Sequence, residues 1–281
     1  MRIWNTRPVS VTKLRLFGNL TYSKNKIVFR DEPAMQYAYQ KSEGTRYGEF
    51  YGYIAEGYFQ SEEEIKKSPR QMRELAPGDI KYKDLNDDGV IDANDQCYLG
   101  KSWFPSWSYG MGFNINYHNF DLALFFQGVS DVSIMANGGS IDTGNGDWGA
   151  SGVGIVPFTG MGLNPSNVIT KALDRWTADN PRADAWYPRM TANATTNDNN
   201  YVNSTHWLKD GSYLRLKQAS LGYTLENKKL MDKGIEYLYF YLSGQNLLTF
   251  SKFKLWDPEL GSNGAKYPLS RMVTLGMRVS F

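Results

Sequence analysis

The sequence contains little cysteine and no long hydrophobic run. Cys97 is the single cysteine among 281 residues, so no disulfide framework is expected within the chain. No run of roughly 18 apolar residues occurs, which argues against a transmembrane helix. The first residues also lack the apolar core of a secretory signal peptide. Strands are therefore the elements from which a fold, or a membrane span, is expected.

Histidine and unbalanced charge are scarce as well. The 31 basic and 29 acidic residues nearly cancel, so we expect no nucleic-acid partner. His118 and His206 are the only two histidines, and they fall in segments expected to lie far apart. A Ser-His-Asp triad or a histidine metal site is therefore not expected. We predict no catalytic residues and no enzymatic activity.

Tyrosine, tryptophan and glycine are abundant, with 19, 8 and 27 residues, which favours antiparallel strands and long loops. The clearest strand is 107–117, where apolar residues alternate with small or polar ones. Its length matches the roughly 9–11 residues that a tilted strand needs to cross a bilayer. The predicted membrane-facing residues of this strand are Trp107, Tyr109, Met111, Phe113, Ile115 and Tyr117. Aromatic residues at both ends are typical of the interfacial girdles of a barrel.

Two further segments repeat this alternation. After a tight turn at His118-Asn119, the next strand places Leu122 and Leu124 on its apolar face. The last residues of the sequence place Val273, Leu275, Met277 and Val279 on theirs. We expect all six residues to face the membrane, and we interpret the terminal aromatic Phe281 as a signal for barrel assembly.

Six strands are predicted, at 11–29, 105–118, 119–130, 206–225, 235–250 and 268–281. Short turns alternate with longer segments at 30–104, 131–205 and 251–267, which is the pattern of outer-membrane barrels with long loops outside. Short helices are expected within these loops, one after Ser61 and one over 168–176. Residues 191–200 are polar and of low complexity.

Residues 84–95 match the pattern of a calcium-binding loop. The predicted oxygen ligands are Asp84, Asn86, Asp88, the Val90 carbonyl, Asp92 and Asp95, with Gly89 at the sharp turn and Ile91 anchoring the loop to a core. Position 12 holds Asp95 rather than the usual Glu, and no helices flank the loop. The alternative is an Asp/Asn/Gly turn without metal. We expect a structural calcium ion.

Several aromatic residues cluster near the loop ends: Trp103, Trp107, Trp148, Trp186, Tyr187, Trp207 and Trp256. Rings of this kind can stack on sugars or on peptide side chains, or they can pack the loops and anchor them at the interface. The residues alone favour packing and leave the ligand-binding residues unknown.

The order of motifs resembles the SusC/RagA family of TonB-dependent outer-membrane transporters. The matching segments occur in the family's order and are spread along nearly the whole chain: 21–27 (TYSKNKI), 77–92 (PGDIKYKDLNDDGVID), 120–128 (FDLALFFQG), 212–217 (SYLRLK), 221–225 (LGYTL), 244–250 (GQNLLTF), 257–259 (DPE) and 267–281. The resemblance implies an all-β, antiparallel transmembrane barrel segment that supplies about six C-terminal strands of a barrel of the roughly 22-stranded type.

The resemblance also implies partners and a place in the cell. The family imports oligosaccharides or peptides across the outer membrane of Gram-negative bacteria, with a SusD-like surface lipoprotein as a lid and energy from the TonB complex. The plug domain and the remaining strands are absent from this sequence, so it is not expected to be competent alone. It would need the rest of its own barrel and plug, and the barrel-assembly machinery.

The runner-up interpretation is a soluble, calcium-stabilised β-domain that binds glycans at the cell surface. The two hypotheses differ in which face of the strands is dry. In the transporter, Phe113 and Ile115 contact lipid; in the soluble domain, they pack a protein core.

Overall fold

A computed structural model describes residues 13–137, 169–190, 198–264 and 267–281. Within these residues strands are the main regular elements, helices are few and short, and much of the chain forms turns and irregular loops. The strands are β1 (Lys13–Tyr22), β2 (Glu49–Gly52), β3 (Ala55–Tyr58), β4 (Ile80–Tyr82), β5 (Cys97–Ser102), β6 (Trp107–Tyr117), β7 (Phe120–Ser130), β8 (Ser133–Met135), β9 (Leu208–Asp210), β10 (Tyr213–Leu225), β11 (Tyr237–Ser251) and β12 (Met272–Ser280). The α-helices are α1 (Glu62–Lys67) and α2 (Lys228–Met231), and 3-10 turns occupy Ala38–Gln40, Ala93–Asp95, Thr170–Leu173, Asp198–Tyr201 and Pro258–Leu260.

The main sheet has six strands in the order β1-β6-β7-β10-β11-β12, and every neighbouring pair is antiparallel. These strands lie within or close to the six predicted segments, although their ends differ. The strand expected at 206–225 begins only at Tyr213, because Leu208–Asp210 pairs with β8 instead. The sheet is open, so the described residues do not close a barrel: β1 and β12 are its two edges.

A β-bulge keeps the apolar side chains of β10 aligned. The register shifts between Leu216 and Gln218 on both sides of the strand: Lys217 is an extra residue relative to β7, whereas two residues of β11, Asn246 and Leu247, lie opposite Lys217. Without it, the alternation of the strand would send Ala219 and Leu221 to the face opposite Leu216. Asn246, on the partner strand at the same level, has a positive φ of 53°.

The long connections all leave the same end of the sheet and fold into one body. We call this body the loop unit; it comprises residues 23–106, 131–137, 169–190, 198–212 and 252–264. Its pairs of short strands are β2–β5, β3–β4 and β8–β9. The buried hydrophobic core of the loop unit consists of Phe50, Tyr53, Tyr58, Ile80, Tyr82, Ile91, Met135, Ala172, Trp176, Ala185, Tyr187, Tyr201 and Trp207.

The loops predicted as separate segments pack against each other. The Tyr53 N–H donates to the Asn203 carbonyl (2.9 Å), and the Thr205 N–H donates to the Tyr53 carbonyl (3.0 Å). These bonds join residues about 150 positions apart in the chain. This pairing was not predicted, because backbone hydrogen bonds between distant segments leave no short-range pattern in the sequence.

One of the two helices expected in the loops is present. Ser61 caps α1 by accepting a hydrogen bond from the Glu64 N–H at 3.2 Å, and the Glu64 carboxylate accepts from the Gln60 N–H at 2.8 Å. Across the described chain, no helix has the length and apolarity needed to cross a membrane.

The prediction of a helix over 168–176 is wrong. Only Thr170–Leu173 forms a 3-10 turn, and Val168 lies outside the described residues. Leu173, which a helix would place on one face with Ala172 and Trp176, is 77% exposed, whereas Ala172 and Trp176 are buried. The backbone leaves the helical conformation after Leu173 because Trp176 donates its N–H to the Tyr187 carbonyl (2.9 Å), a strand-like bridge that an α-helix cannot make.

Candidate functional site

The six-stranded sheet has one apolar face that runs without a break across all its strands. Paired residues of an antiparallel ladder share a face, so a row can be read across the sheet. One such row consists of Leu14, Ile115, Leu122, Leu221, Leu242 and Leu275, and the next consists of Leu16, Phe113, Leu124, Ala219, Gly244 and Val273. By the same register, every residue predicted to face the membrane lies on this face.

Aromatic side chains line both ends of the apolar face. Tyr117, Phe120, Tyr223 and Phe240 form a row beside the short turns. Tyr22 and Trp107 pair near the end that carries the loop unit, with ring centroids 4.5 Å apart. The Leu and Ile rows lie between these two bands, as in the apolar belt of an outer-membrane barrel.

No layer of the described chain covers the centre of this face. On the inner strands, Leu221 of β10 is 48% exposed and Leu242 of β11 is 47% exposed, and on the edge strands Leu16 is 70% exposed and Leu275 is 81% exposed. The buried clusters of the described residues lie in the loop unit instead. An uncovered apolar surface of this extent is the mark of an interaction with a membrane or a partner.

The opposite face of the sheet is largely polar, apart from Phe17 and Phe125, whose rings stack on it with centroids 6.1 Å apart. One of its rows consists of Arg15, Asn114, Ala123, Ser220, Ser243 and Thr274. Tyr239 donates its hydroxyl to the Asp121 carboxylate (3.0 Å) on this face and stacks on Tyr241, with centroids 5.8 Å apart. The Tyr241 ring lies where a side chain at Gly276 would stand. The apolar face therefore suits contact with an apolar medium or partner, and the opposite face suits contact with water.

The loop predicted to bind calcium folds as the pattern indicated around its glycine and isoleucine. Gly89 has a φ of 81°, which allows the sharp turn. Ile91 is buried in the core of the loop unit, and its N–H donates to the Arg70 carbonyl at 2.7 Å. The loop is therefore anchored at the predicted position.

The six predicted ligands are engaged in different ways. Asp84 accepts from the Gly89 N–H (2.8 Å) through Oδ2, whereas its buried Oδ1 has no hydrogen-bond partner among the described atoms. Asn86 and Asp88 accept from the backbone N–H groups of Asp88 (3.2 Å) and Val90 (2.8 Å). The free Asp84 oxygen is a feature that a cation would satisfy.

Asp92 and Asp95 fit the calcium site less well. Asp92 accepts from the Asn94 N–H at 2.7 Å. Asp95 is fully buried and accepts from the N–H groups of Leu85 (2.7 Å) and Asp92 (2.8 Å). Over the described ranges, no three His, Cys, Asp or Glu side chains are placed to hold a metal ion together. Calcium binding at this loop therefore stays a prediction.

A polar network that the sequence did not reveal fixes the centre of the loop unit. Asp79 is fully buried, and its two oxygens accept from the Arg189 guanidinium at 3.0 and 2.8 Å. The Asn200 side chain donates its Nδ2 to the same carboxylate at 2.8 Å, and its Oδ1 accepts from the Ile80 N–H at 2.8 Å. Asn199 and Asn200, which end the polar segment 191–200, are thus buried structural residues rather than part of a surface loop. Residues 191–197 lie outside the described ranges.

An ion-pair cluster joins the sheet to the loop unit. The Arg215 guanidinium of β10 is almost fully buried and lies 2.5 Å from Asp257 and 2.9 Å from Glu259. The two acids belong to the turn Pro258–Leu260 and its N-cap. Two of the motifs that carry the family resemblance, 212–217 and 257–259, therefore meet in space.

The histidines lie at opposite ends of the sheet, as expected. His118 is in the short turn between β6 and β7, whereas His206 is in the loop unit. Burial, reinforced by the nearby Lys209 charge, lowers the pKa of His206 to about 4. Its Nε2 is 3.2 Å from the Trp186 carbonyl and 3.4 Å from the Tyr58 hydroxyl. These contacts make His206 a neutral packing residue.

Most aromatic residues of the loops pack against one another. Trp207 is 0% exposed, and its ring contacts those of Trp186, Tyr187 and Tyr201 at centroid distances of 5.4, 5.6 and 5.7 Å. Trp256 packs edge-on against Phe253 at 4.8 Å. Trp103 and Trp107 are partly exposed, and Trp148 lies outside the described residues. The buried aromatic rings of the loop unit therefore pack its interior.

The sequence is similar to three TonB-dependent receptors of Formosa agariphila. Receptor P26 is 30% identical over 241 residues, which are 80% of this chain and 22% of the relative. Receptor P3 is 28% identical over 255 residues (85% and 22%), and receptor P39 is 23% identical over 314 residues (94% and 28%). The chain thus spans roughly a quarter of the length of these relatives. No protein-family model matches it.

The fold is similar to that of solved transporters. A chain of the RagAB peptide transporter superposes with a TM-score of 0.66 at 21% identity, covering 96% of this chain and 27% of that one. A chain of the RagAB peptide importer in its closed-closed state gives a TM-score of 0.65 at 20% identity, covering 98% and 28%. By these relationships the chain belongs to the TonB-dependent receptors, the group that its motifs resemble, and its fold is that of the matching part of RagAB.

Proposed function

We propose that this chain forms part of the wall and the extracellular loops of an outer-membrane barrel that imports oligosaccharides or peptides. The apolar face of the main sheet would contact lipid, and the polar face would line the water-filled interior. The observation that carries this proposal is the unbroken apolar face, bordered by aromatic residues and left uncovered by the described chain.

The open sheet requires further strands on both sides. In a bilayer each unpaired backbone group costs several kcal/mol, so the edges β1 and β12 need partners. We assign these partners to the rest of the same barrel, with a plug domain inside it. Phe281, which is 91% exposed, remains available as a recognition signal for the barrel-assembly machinery.

The relatives suggest the remaining partners. By analogy with the TonB-dependent receptors, energy would come from the TonB complex, and the location would be the outer membrane of a Gram-negative bacterium. The RagAB peptide transporter motivates a SusD-like surface lipoprotein as a lid above the loop unit, and a peptide as one class of cargo. No catalytic step is needed for any of these roles.

We also propose a structural calcium ion in the loop 84–95. Asp84, Asn86, Asp88, the Val90 carbonyl, Asp92 and Asp95 would hold it, and Asp84 Oδ1 is the oxygen that most clearly lacks a partner among the described atoms. The ion would stiffen a loop that Ile91 already ties to the core of the loop unit.

The soluble glycan-binding alternative places the same apolar side chains in a protein core. Phe113 and Ile115 are half-buried by their neighbours on the sheet, but Leu275 is largely exposed, and the loop unit has its own separate core. The exposed face therefore argues for the transporter.

Uptake by cells tests the proposal. A strain that lacks its own importer would be given the complete receptor, and entry of fluorescent oligopeptides and oligosaccharides would be measured. We expect uptake of one class, abolished by removal of TonB. Uptake that is equal with and without the receptor, or independent of TonB, would contradict the proposed transport.

A further inference from the structure

A cleft of about 790 Å³ opens in the loop unit. It forms where three stretches distant in sequence meet: the turn at 169–174, strand β9 and the segment 252–255 that follows β11. Trp186, Phe253 and Leu255 form its apolar floor. The cleft lies at the end of the sheet from which the long connections leave, which is the side expected to meet cargo in the proposed transporter.

Four lysines and two aspartates line this cleft, so positive charge is in excess. Asp174 is already neutralised, because it is paired with Lys171 at 2.8 Å and also contacts the Arg182 guanidinium. Asp210 accepts a hydrogen bond from the Ser212 N–H at 2.9 Å. Among the described residues, Lys209, Lys252 and Lys254 have no carboxylate within ion-pair distance.

Lys209 is the most constrained of these lysines. Its Nζ donates to the His206 carbonyl (2.6 Å) and lies 5.3 Å from the centroid of the Trp186 ring. Burial, reinforced by the Lys171 charge, lowers the pKa of Lys209 to about 8. An ammonium group held in this way, without a counter-ion, is stabilised when an anion binds beside it.

The aromatic residues of the cleft are not free to stack on sugars. Trp186 already makes edge contacts with Tyr187 and Trp207, at centroid distances of 4.5 and 5.4 Å. Phe253 is buried and packs edge-on against Trp256. What remains is apolar side-chain surface next to ammonium groups, which suits an acidic peptide better than a glycan.

We infer that this cleft binds acidic peptides, with the three unpaired lysines holding carboxylates and the apolar floor holding an aliphatic side chain. The inference rests on the proposed import function and names its cargo more closely: an oligopeptide rich in Asp or Glu with neighbouring Leu or Val. Lysine ammonium groups pair with carboxylates through charge-assisted hydrogen bonds.

Binding of a defined peptide to the complete receptor in detergent tests this inference. The probe is a fluorescent octapeptide of alternating Glu and Leu, compared with its Lys-for-Glu counterpart and with a sulfated oligosaccharide. We expect the acidic peptide to bind and the basic one not to bind. The double variant Lys252→Ala/Lys254→Ala should weaken binding of the acidic peptide at least about tenfold.

The matched control is Lys66→Ala/Lys67→Ala, which removes two exposed lysines from α1, outside the cleft. It should leave binding within about twofold of the parent protein. Equal binding of the two peptides, loss of binding in the control variant, no loss in the cleft variant, or binding of the sulfated oligosaccharide alone would each overturn the inference. Because binding is measured without transport, import of a neutral cargo by the same receptor would leave the proposed function standing when this inference fails.

Discussion

The Asp84 carboxylate has one oxygen that is hydrogen-bonded within the loop and one that is left for a cation. One of its carboxylate oxygens closes the turn onto Gly89, and the other is buried without a hydrogen-bond partner among the described atoms. Asn86 and Asp88 lie beside it and are turned toward backbone N–H groups. The same residues can therefore close a metal-free turn or surround a cation.

Melting of the receptor with and without a chelator separates these two states. If calcium is held by this loop, the chelator should lower the melting temperature of the parent protein by several degrees, since a ligand bound only to the folded state stabilises it. Asp84→Ala and Asp88→Ala should melt near the chelated parent and should not respond to chelator. An Asp184→Ala variant, at an exposed position outside the loop, should behave like the parent. No response to chelator in any of these proteins would remove calcium from the account.

His206 makes the stability of the loop unit depend on pH. Its pKa is about 4 in the folded protein, against about 6.5 in an unfolded chain. The depressed pKa means that the unfolded state binds the proton first. The associated stability is therefore fully present above about pH 6.5 and is lost as pH falls through 4, by up to about 3 kcal/mol.

Melting temperatures between pH 7.5 and 4.5 check this dependence. We expect His206→Gln to flatten the fall in melting temperature that the parent shows in this window, because the variant has no group to protonate there. His118→Gln, at an exposed turn, is the matched control and should keep the slope of the parent. An identical slope in His206→Gln and the parent would show that other groups cause the loss.

The alternation of apolar and polar residues predicted the strands of the main sheet. Successive side chains of a strand point to opposite faces, so a strand between lipid and water has apolar residues alternating with polar ones. Trp107–Tyr117 is the clearest example. The start of β10 was misplaced because residues 206–212 belong to the loop unit, where pairing with a distant strand decides the structure. The burial of Asn199 and Asn200 was missed for the same reason, since their partners Asp79 and Ile80 are about 120 residues away.

Within the candidate site, the calcium-type motif could be identified in the sequence because all its residues lie in one continuous segment. The lysine cleft was not, because Lys171, Lys209 and Lys252 come from separate segments that only the folded loop unit brings together. Local patterns therefore predicted elements and turns, whereas surfaces assembled from several elements required the structure.

The ion pairs of Arg215 with Asp257 and Glu259 hold the segment after β11 against the sheet. Arg215→Ala should free the segment 252–264 from the sheet, because it removes the ion pairs that hold Asp257 and Glu259 to β10. Limited trypsin digestion should then cut faster after Lys252 and Lys254. In Arg271→Ala, at an exposed position, the rate of cleavage after Lys252 and Lys254 should equal that of the parent. Unchanged cleavage in Arg215→Ala would show that the cluster does not hold this segment.

At the scale of the whole molecule, the two free edges of the sheet decide what the chain can do by itself. Backbone groups left unpaired at β1 and β12 are not tolerated in hydrocarbon. We therefore expect the 281-residue chain, refolded alone with lipid vesicles, to remain sensitive to protease throughout its strands. The complete receptor should protect them. Full protection of the isolated chain would mean that the sheet closes or pairs with further copies.

Labels placed on the two faces of the sheet show which face contacts lipid. Single cysteines would be placed at Ile115 and Leu275 on the apolar face and at Asn114 and Thr274 on the polar face, in the complete receptor carrying Cys97→Ser, and labelled with a fluorophore in bilayers that contain nitroxide lipids. We expect strong lipid quenching at Ile115 and Leu275, and quenching only by water-soluble agents at Asn114 and Thr274. Lipid quenching that is absent at Ile115 and Leu275, or equal on both faces, would contradict the proposed contact of the apolar face with lipid.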